Sequence, residues 1–276
     1  MLEAIGLAKT YHPPAGFAFG RNRPAPVHAV RDASFTVAPG KVLGIIGQSG
    51  SGKSTLGRLL VGLESANRGQ VKIDGQDASA LLAHDRKAFY RRVQMVFQDP
   101  YGSINPQHDV LETVTRPLRY QGEPSDPAMR QRAIDVMERV GLRPADRYLA
   151  THPHRLSGGQ RQRLCIARAI IMEPRYLVAD EPISMLDVSI KWDIIRLLKR
   201  LVNDQGLALV YITHDLATVR TLCHEVAIML AGDIVEYGPV DRVLDAPQHA
   251  YTQALIAACP SADLTLRGLP DAAVAQ

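Results

Sequence analysis

The chain has 276 residues, 46% hydrophobic and 22% charged, with a formal net charge of +4, a balance that describes a globular protein of one large domain, or one domain with an inserted subdomain. Its three cysteines, Cys165, Cys223 and Cys259, are too few and too scattered for a disulfide framework or a zinc knuckle, and the lack of a dense Lys/Arg run disfavours a nucleic-acid partner. Apolar runs such as LALVYIT (207–213) stop well short of the roughly 18–20 residues that cross a bilayer, and MLEAIGLAKTYH carries no secretory-leader pattern, so a cytoplasmic location is expected.

In chain order, HPPAGFAFGRNRPAPV (12–27) predicts an extended loop. SFTVAPGKVLGIIG (34–47) predicts two strands parted at Pro39-Gly40, the second ending in a glycine-rich turn. VKIDG (71–75) and RRVQMVFQ (91–98) predict further strands, and DPYGSINP from residue 99 a loop. Residues 107–155 are rich in helix-compatible segments, among them DPAMRQRAIDVMERVGL with apolar residues at helical spacing, and read as a helical insertion. Strands return with RYLVAD (175–180), LALVYIT, EVAIML (225–230) and DIVEYG (233–238), and residues past Pro260 read as a loosely ordered tail. The alternation predicts an α/β fold with a mostly parallel sheet.

The strongest chemical signal is GQSGSGKST, Gly47 to Thr55, which matches the phosphate-binding P-loop between the strand VLGII and a helix. Gly47, Gly50 and Gly52, with Ser49 among them, let backbone N–H groups converge on phosphate oxygens. Lys53 reaches the β- and γ-phosphates, Ser54 supplies a hydroxyl to Mg²⁺, and Thr55 completes the motif. RYLVAD then brings Asp180 to the carboxyl edge of the sheet, where α/β folds bind ligands. Asp180 is a candidate Mg²⁺ holder through water, and Glu181 a candidate base for the water that attacks the γ-phosphate. Standing alone, such an acidic pair is often only a solvated turn.

LSGGQ (156–160) admits a plain structural account as well. Ser157 and Gln160 form an S-x-x-Q capping box for the helix that follows. The box does not explain Gly158 and Gly159, since each glycine costs about 1 kcal/mol against alanine in a helix. Bare backbone there suggests a second phosphate grip, one without a lysine.

The P-loop, Gln98, LSGGQ, YLVADE, SMLD (184–187) and His214 occur in the order of the ATP-binding subunits of ABC transporters, and the resemblance covers roughly residues 2–258. It implies a P-loop NTPase core with an antiparallel β region near the N-terminus and an inserted helical subdomain at about 99–165. The ATPase domain would span 1–245 and a C-terminal extension 246–276. It further implies a head-to-tail pair of nucleotide domains, in which Ser157, Gly158, Gly159 and Gln160 close on ATP held by the neighbour. Tyr11 would stack on adenine, Gln98 would meet Mg²⁺ and the attacking water, Glu181 would be the general base, His214 would touch the γ-phosphate, and Asp187 would link the two sites.

STLGRLLVGLE, MVFQDPYGSINP, HPHRLSGGQRQR, DVSI and HAYTQALI resemble the second ATPase subunit of the dipeptide, oligopeptide and nickel importers. That likeness implies a peripheral subunit at the cytoplasmic face of the inner membrane, paired with a second, different ATPase chain, two permease subunits and an extracytoplasmic solute-binding protein, importing short peptides. A nickel or metal-chelate cargo is the alternative. SMLD stands here for the family's SALD, and the tail lacks the cysteines with which many relatives hold an iron–sulfur cluster. A soluble ABC protein acting on ribosomes or DNA, and a P-loop kinase or GTPase, are the competing readings; the latter leaves LSGGQ and His214 unexplained.

Overall fold

The structure is a computed structural model and describes residues 1–12, 25–124 and 127–258. The tail past Pro260 and most of the 12–27 loop lie outside the described residues. β1 (Leu2–Tyr11) and β2 (Val27–Val37) pair antiparallel and lead into the short central strand β3 (Val42–Ile46). The P-loop follows and opens α1 (Lys53–Leu60). β4 (Arg68–Ile73) and β5 (Gln76–Asp77) extend the antiparallel edge.

Next come α2 (Ala78–His84) and α3 (Arg86–Arg92), then β6 (Val93–Val96). The strand expected over 91–98 is thus shorter. Asp85 caps α3 by accepting from Ala88 N–H at 2.9 Å, and Arg91 and Arg92 close that helix. The expected loop after residue 99 holds one helical turn, α4 (Pro100–Ser103), because Asp99 accepts from Tyr101 N–H and Pro100 suits a first helical position.

The helical insertion contains α5 (Val110–Gln121) and α6 (Pro127–Arg139), both packed on α7 (Gly158–Ile170). Val110, Val114 and Leu118 repeat every four residues on α5, Met129, Ala133 and Met137 do so on α6, and all are buried with Leu164, Cys165 and Ile166 of α7. Truncating the fully buried Leu118 to alanine costs about 2–5 kcal/mol. Because α7 is one unbroken helix, residue 165 falls in its middle.

β7 (Tyr176–Asp180), α8 (Val188–Gln205), β8 (Ala208–Thr213), α9 (Leu216–Leu222), β9 (Glu225–Leu230) and β10 (Asp233–Pro239) complete the sheet, and α10 (Val240–Asp245) and α11 (Ala250–Ala257) follow. The strand order is β5-β4-β1-β2-β10-β9-β3-β8-β7-β6, with β9, β3, β8, β7 and β6 parallel. Residues alternate across it. Leu177, Ala179, Leu209 and Tyr211 join the core under α7 and α8, while Tyr176, Val178, Val210 and Ile212 join the core shared with α1 and the antiparallel strands. Since β3, β6, β7 and β8 run the same way, their carboxyl ends bring Gly47, Gln98, Asp180 and His214 to one edge. Among the described residues no helix is long and apolar enough to cross a membrane.

Candidate active site

A cavity of about 550 Å³ opens at that edge, lined by Tyr11, Ser49, Gly50, Gly52, Lys53, Ser54, Thr55, Gln98 and Glu181 together with residues 26–29, Arg31 and Ala231. The volume suits a nucleotide-sized ligand. A larger cavity of about 810 Å³, lined by Pro39, Tyr176 and Gly206, lies at the amino ends of the strands and holds none of the phosphate-binding candidates.

Two glycines fix the P-loop's shape. A Cβ at Gly47 would sit 2.1 Å from the Met229 carbonyl oxygen, and one at Gly52, whose φ is +101°, would sit 1.9 Å from that of Ala29. Lys53 is buried and donates from Nζ to the carbonyls of Gly47 and Gln48, each at 2.8 Å, so it lies along the loop it would help to fill. Burial pushes its pKa down, against the pull of Glu181 and Asp180. Ser54 Oγ donates to Asp180 Oδ1 at 3.1 Å. Burial pushes the Asp180 carboxyl up, and the Ser54 hydrogen bond opposes it.

Both carboxylate oxygens of Glu181 have a polar neighbour. Gln98 Nε2 donates to Oε2 at 3.1 Å, and His214 Nδ1 lies 3.4 Å from Oε1. The residue has φ +43°, a left-handed backbone that costs a side-chain-bearing residue roughly 1–2 kcal/mol. Its N–H donates to the Ile212 carbonyl at 2.9 Å, and its own carbonyl accepts from Ser184 N–H and Oγ. The turn rotates Glu181 out of the strand direction of Asp180, which stays buried against Ser54.

Tyr11 stands at the outer wall, its hydroxyl donating to Glu64 and the Lys9 ammonium 5.2 Å from its ring centre. Glu64 is an addition that no sequence motif signalled. Residues 26–29 and Ala231 belong to no recognisable motif either.

The LSGGQ segment, here called the signature loop, is elsewhere. Ser157, Gly158, Gly159 and Gln160 do not line this cavity. The capping box is formed, with Ser157 N–H donating to Gln160 Oε1 at 2.9 Å and Gln160 N–H to Ser157 Oγ at 3.3 Å. Gly159 has a packing reason of its own, since a Cβ there would lie 2.7 Å from Ile190 Cγ2 on α8, and its bare backbone therefore does not by itself point to an anion. Gly158 is different, with Leu186 Cδ2 at 3.8 Å as its nearest neighbour. Asp187 occupies the N-cap of α8 without a side-chain capping bond and is exposed, flanked by the exposed Met185 and Val188.

Among the described residues, no three or more His, Cys, Asp or Glu side chains gather as a metal cluster. Cys165 is buried and Cys223 half-buried, and burial pushes both thiols up; Cys259 lies outside the described residues.

Comparison with known proteins agrees with this arrangement. Residues 30–184 match the ABC transporter family, and residues 235–275 match the oligopeptide/dipeptide transporter C-terminal region. The chain is 44% identical over 265 residues to the probable peptide ABC transporter ATP-binding protein y4tS of Sinorhizobium fredii, covering 95% of this chain and 73% of that protein. It is 45% identical over 237 residues to the glutathione import ATP-binding protein GsiA of Salmonella paratyphi A, covering 86% of this chain but only 38% of that longer protein. The fold superposes on the ATP-binding cassette MJ0796, solved as a dimer bound to ADP and Pi, with TM-score 0.75 and 28% identity over 87% of this chain and 99% of that one. With its motifs, its α/β cassette fold and a family match over more than half its length, this chain belongs to the ABC transporter family as an ATP-binding cassette.

Proposed function

We propose that the chain is the ATP-hydrolysing motor of an importer for short peptides. The reading rests above all on Glu181, whose carboxylate accepts from Gln98 and lies 3.4 Å from His214, beside Lys53 and the Ser54–Asp180 pair. ATP would place its phosphates on the P-loop backbone with Lys53 turned from the Gly47 and Gln48 carbonyls onto the β- and γ-oxygens. A phosphate beside Lys53 restores the charge that burial disfavours. Tyr11 would stack on the base. Glu181 would take the proton from the attacking water, with Gln98 and His214 beside its carboxylate, and His214 would turn to the γ-phosphate once ATP is bound.

The donor set fits Mg²⁺. Ser54 hydroxyl and Asp180 carboxylate oxygens meet at 3.1 Å, and Gln98, which donates to Glu181 through its amide nitrogen, would add its amide oxygen. When bound, the ion neutralises charge building on the phosphates.

Ser157 and the N–H groups of Gly158 and Gly159 stand at the start of α7, where first-turn donors have no intrahelical acceptor. They are absent from the chain's own nucleotide cavity, which favours their use on ATP held by a second cassette stacked head to tail on this one; the similar cassette MJ0796 is itself solved as a dimer. Asp187, with an uncapping and exposed carboxylate, would sit in that interface. The full assembly would add two permeases and an extracytoplasmic binding protein, with this chain peripheral at the cytoplasmic face of the membrane. The named relatives, a probable peptide transporter and a glutathione importer, and the oligopeptide/dipeptide C-terminal match favour peptides over a nickel chelate.

The test is uptake of labelled di- and tripeptides, including glutathione, into vesicles carrying the assembled transporter. ATP-driven peptide accumulation that disappears with Lys53→Ala supports the proposal. Accumulation of a nickel chelate with none of the peptides, or ATPase activity unconnected to any uptake, would overturn it.

A further inference from the structure

The segment HAYTQALI has no role in the chemistry described above, yet α11 reaches the P-loop. Gln48 N–H, in the turn between β3 and Lys53, donates to the Tyr251 hydroxyl at 3.0 Å. The carbonyl of the same residue accepts from Lys53 Nζ at 2.8 Å. One peptide unit either side of Gln48 therefore carries both the attachment to α11 and the rest position of the lysine.

Tyr251 is itself held from the sheet. Glu236 on β10 is buried, and its two carboxylate oxygens accept from Gln248 N–H at 2.9 Å and His249 N–H at 3.2 Å. His249 Nδ1 then accepts from Tyr251 N–H at 3.1 Å, capping α11. The Tyr251 ring packs against the larger core cluster. The path runs from β10 through a buried carboxylate to the first turn of α11 and on to the phosphate loop. All of its C-terminal members lie within the 235–275 oligopeptide/dipeptide region.

We infer that Tyr251 is a positioning residue for the P-loop: through its hydroxyl the C-terminal region braces Gln48, and so sets the loop's readiness for ATP. Without this bond Gln48 N–H is exposed and hydrates freely, so fold stability changes little while residue 48 gains freedom that phosphate binding must remove. The effect belongs in nucleotide affinity rather than in the chemical step, because Glu181, Gln98 and His214 approach from other strands.

The inference rests on the ATP-binding reading, and the experiment separates the two. ATP binding to the full chain is measured by titration with Mg-ATP for wild type, Lys53→Ala, Tyr251→Phe, Glu236→Gln and the double variant of the last two, alongside urea unfolding without nucleotide. Tyr251→Phe keeps the ring and should raise the ATP Kd roughly three- to tenfold, the worth of one modest hydrogen bond, with an unchanged unfolding midpoint. In the assembled transporter KM for ATP should rise by the same factor while kcat stays within about twofold. Glu236→Gln should act in the same direction, and the double variant should bind no more weakly than the weaker single one. Failure of wild type to bind ATP, or binding by Lys53→Ala as tight as wild type, would refute the ATP-site reading. Wild-type Kd and KM in Tyr251→Phe, with the Lys53 control behaving as expected, would refute the brace alone, as would a loss of affinity in Tyr251→Phe matched by its own loss of fold stability, or fully additive effects on affinity in the double variant.

Discussion

Gly159→Ala separates packing from phosphate binding within the signature loop. The added Cβ would lie 2.7 Å from Ile190 Cγ2 and 3.2 Å from its Cδ1, against the 3.5–4.0 Å at which carbon atoms attract. Relieving the overlap moves α8 or forces the Ile190 rotamer, at about 1–3 kcal/mol. Against a clash in the middle of that range, alanine returns at most about 1 kcal/mol of helix propensity, so the variant should lose about 1–2 kcal/mol of stability. Ile190→Ala removes the opposing methyl, and in that background Gly159→Ala should cost nothing, a coupling of about 1–3 kcal/mol. Gly158→Ala, whose nearest neighbour is 3.8 Å away, should stay within about 0.5 kcal/mol of wild type. Urea unfolding followed by fluorescence of Trp192, the one tryptophan of the chain and part of α8, reads all four variants. A wild-type stability for Gly159→Ala, or costs that add independently of Ile190, would refute the packing account.

Four further outcomes follow from the site. Gly158→Asp places a carboxylate where a neighbour's phosphate would dock and has space to do so; nucleotide photo-labelling should show this chain's own P-loop still filled while closure with the partner cassette fails, and loss of labelling at its own P-loop with closure intact would place the loop's action in cis. Tyr11→Ala should weaken ATP binding by about 1–3 kcal/mol if the ring stacks on adenine, and Tyr11→Phe should retain most of it; equal affinities for all three proteins would remove Tyr11 from the site. Asp180→Asn should raise the Mg²⁺ concentration needed for half-maximal hydrolysis, and an unchanged requirement would contradict its placement. At Glu236 burial pushes the carboxyl up, but the hydrogen bonds from Gln248 N–H and His249 N–H help to outweigh it and leave the pKa below the usual carboxylate value of 4.5. Its stabilisation is therefore present above about pH 4.5 and lost as pH falls through the lower folded value, so the stability gap between wild type and Glu236→Gln should shrink on acidification; a gap that widens would reverse the sign of the shift.

Much of the fold was legible because the parallel strands are buried on both faces and read as apolar runs, as RYLVAD and LALVYIT do, and because the P-loop couples a motif to a strand and a helix. The limits of β6 were not, since Arg91 and Arg92 suit a strand flank as well as a helix end, and the choice was made by the Asp85 cap six residues upstream. Gly159 shows the opposite failure. A missing side chain looks the same in a sequence whether a ligand or another helix comes close, and only the position of Ile190, thirty-one residues later, tells which. The Gln48–Tyr251 contact spans 203 residues and uses a backbone donor, so no local pattern could have announced it.

The account turns on Glu181 as the residue that takes the proton from water. Glu181→Gln in this chain, assembled with the second ATPase and the permeases proposed above, should bind Mg-ATP with near wild-type affinity, hold the two cassettes closed around it, and lose nearly all turnover at this chain's site, since the amide accepts no proton. Single-turnover hydrolysis at this site, with the partner's site silenced by its own P-loop lysine substitution, is the direct measurement. A rate within a few-fold of wild type would contradict the assignment and with it the mechanism proposed for the cavity.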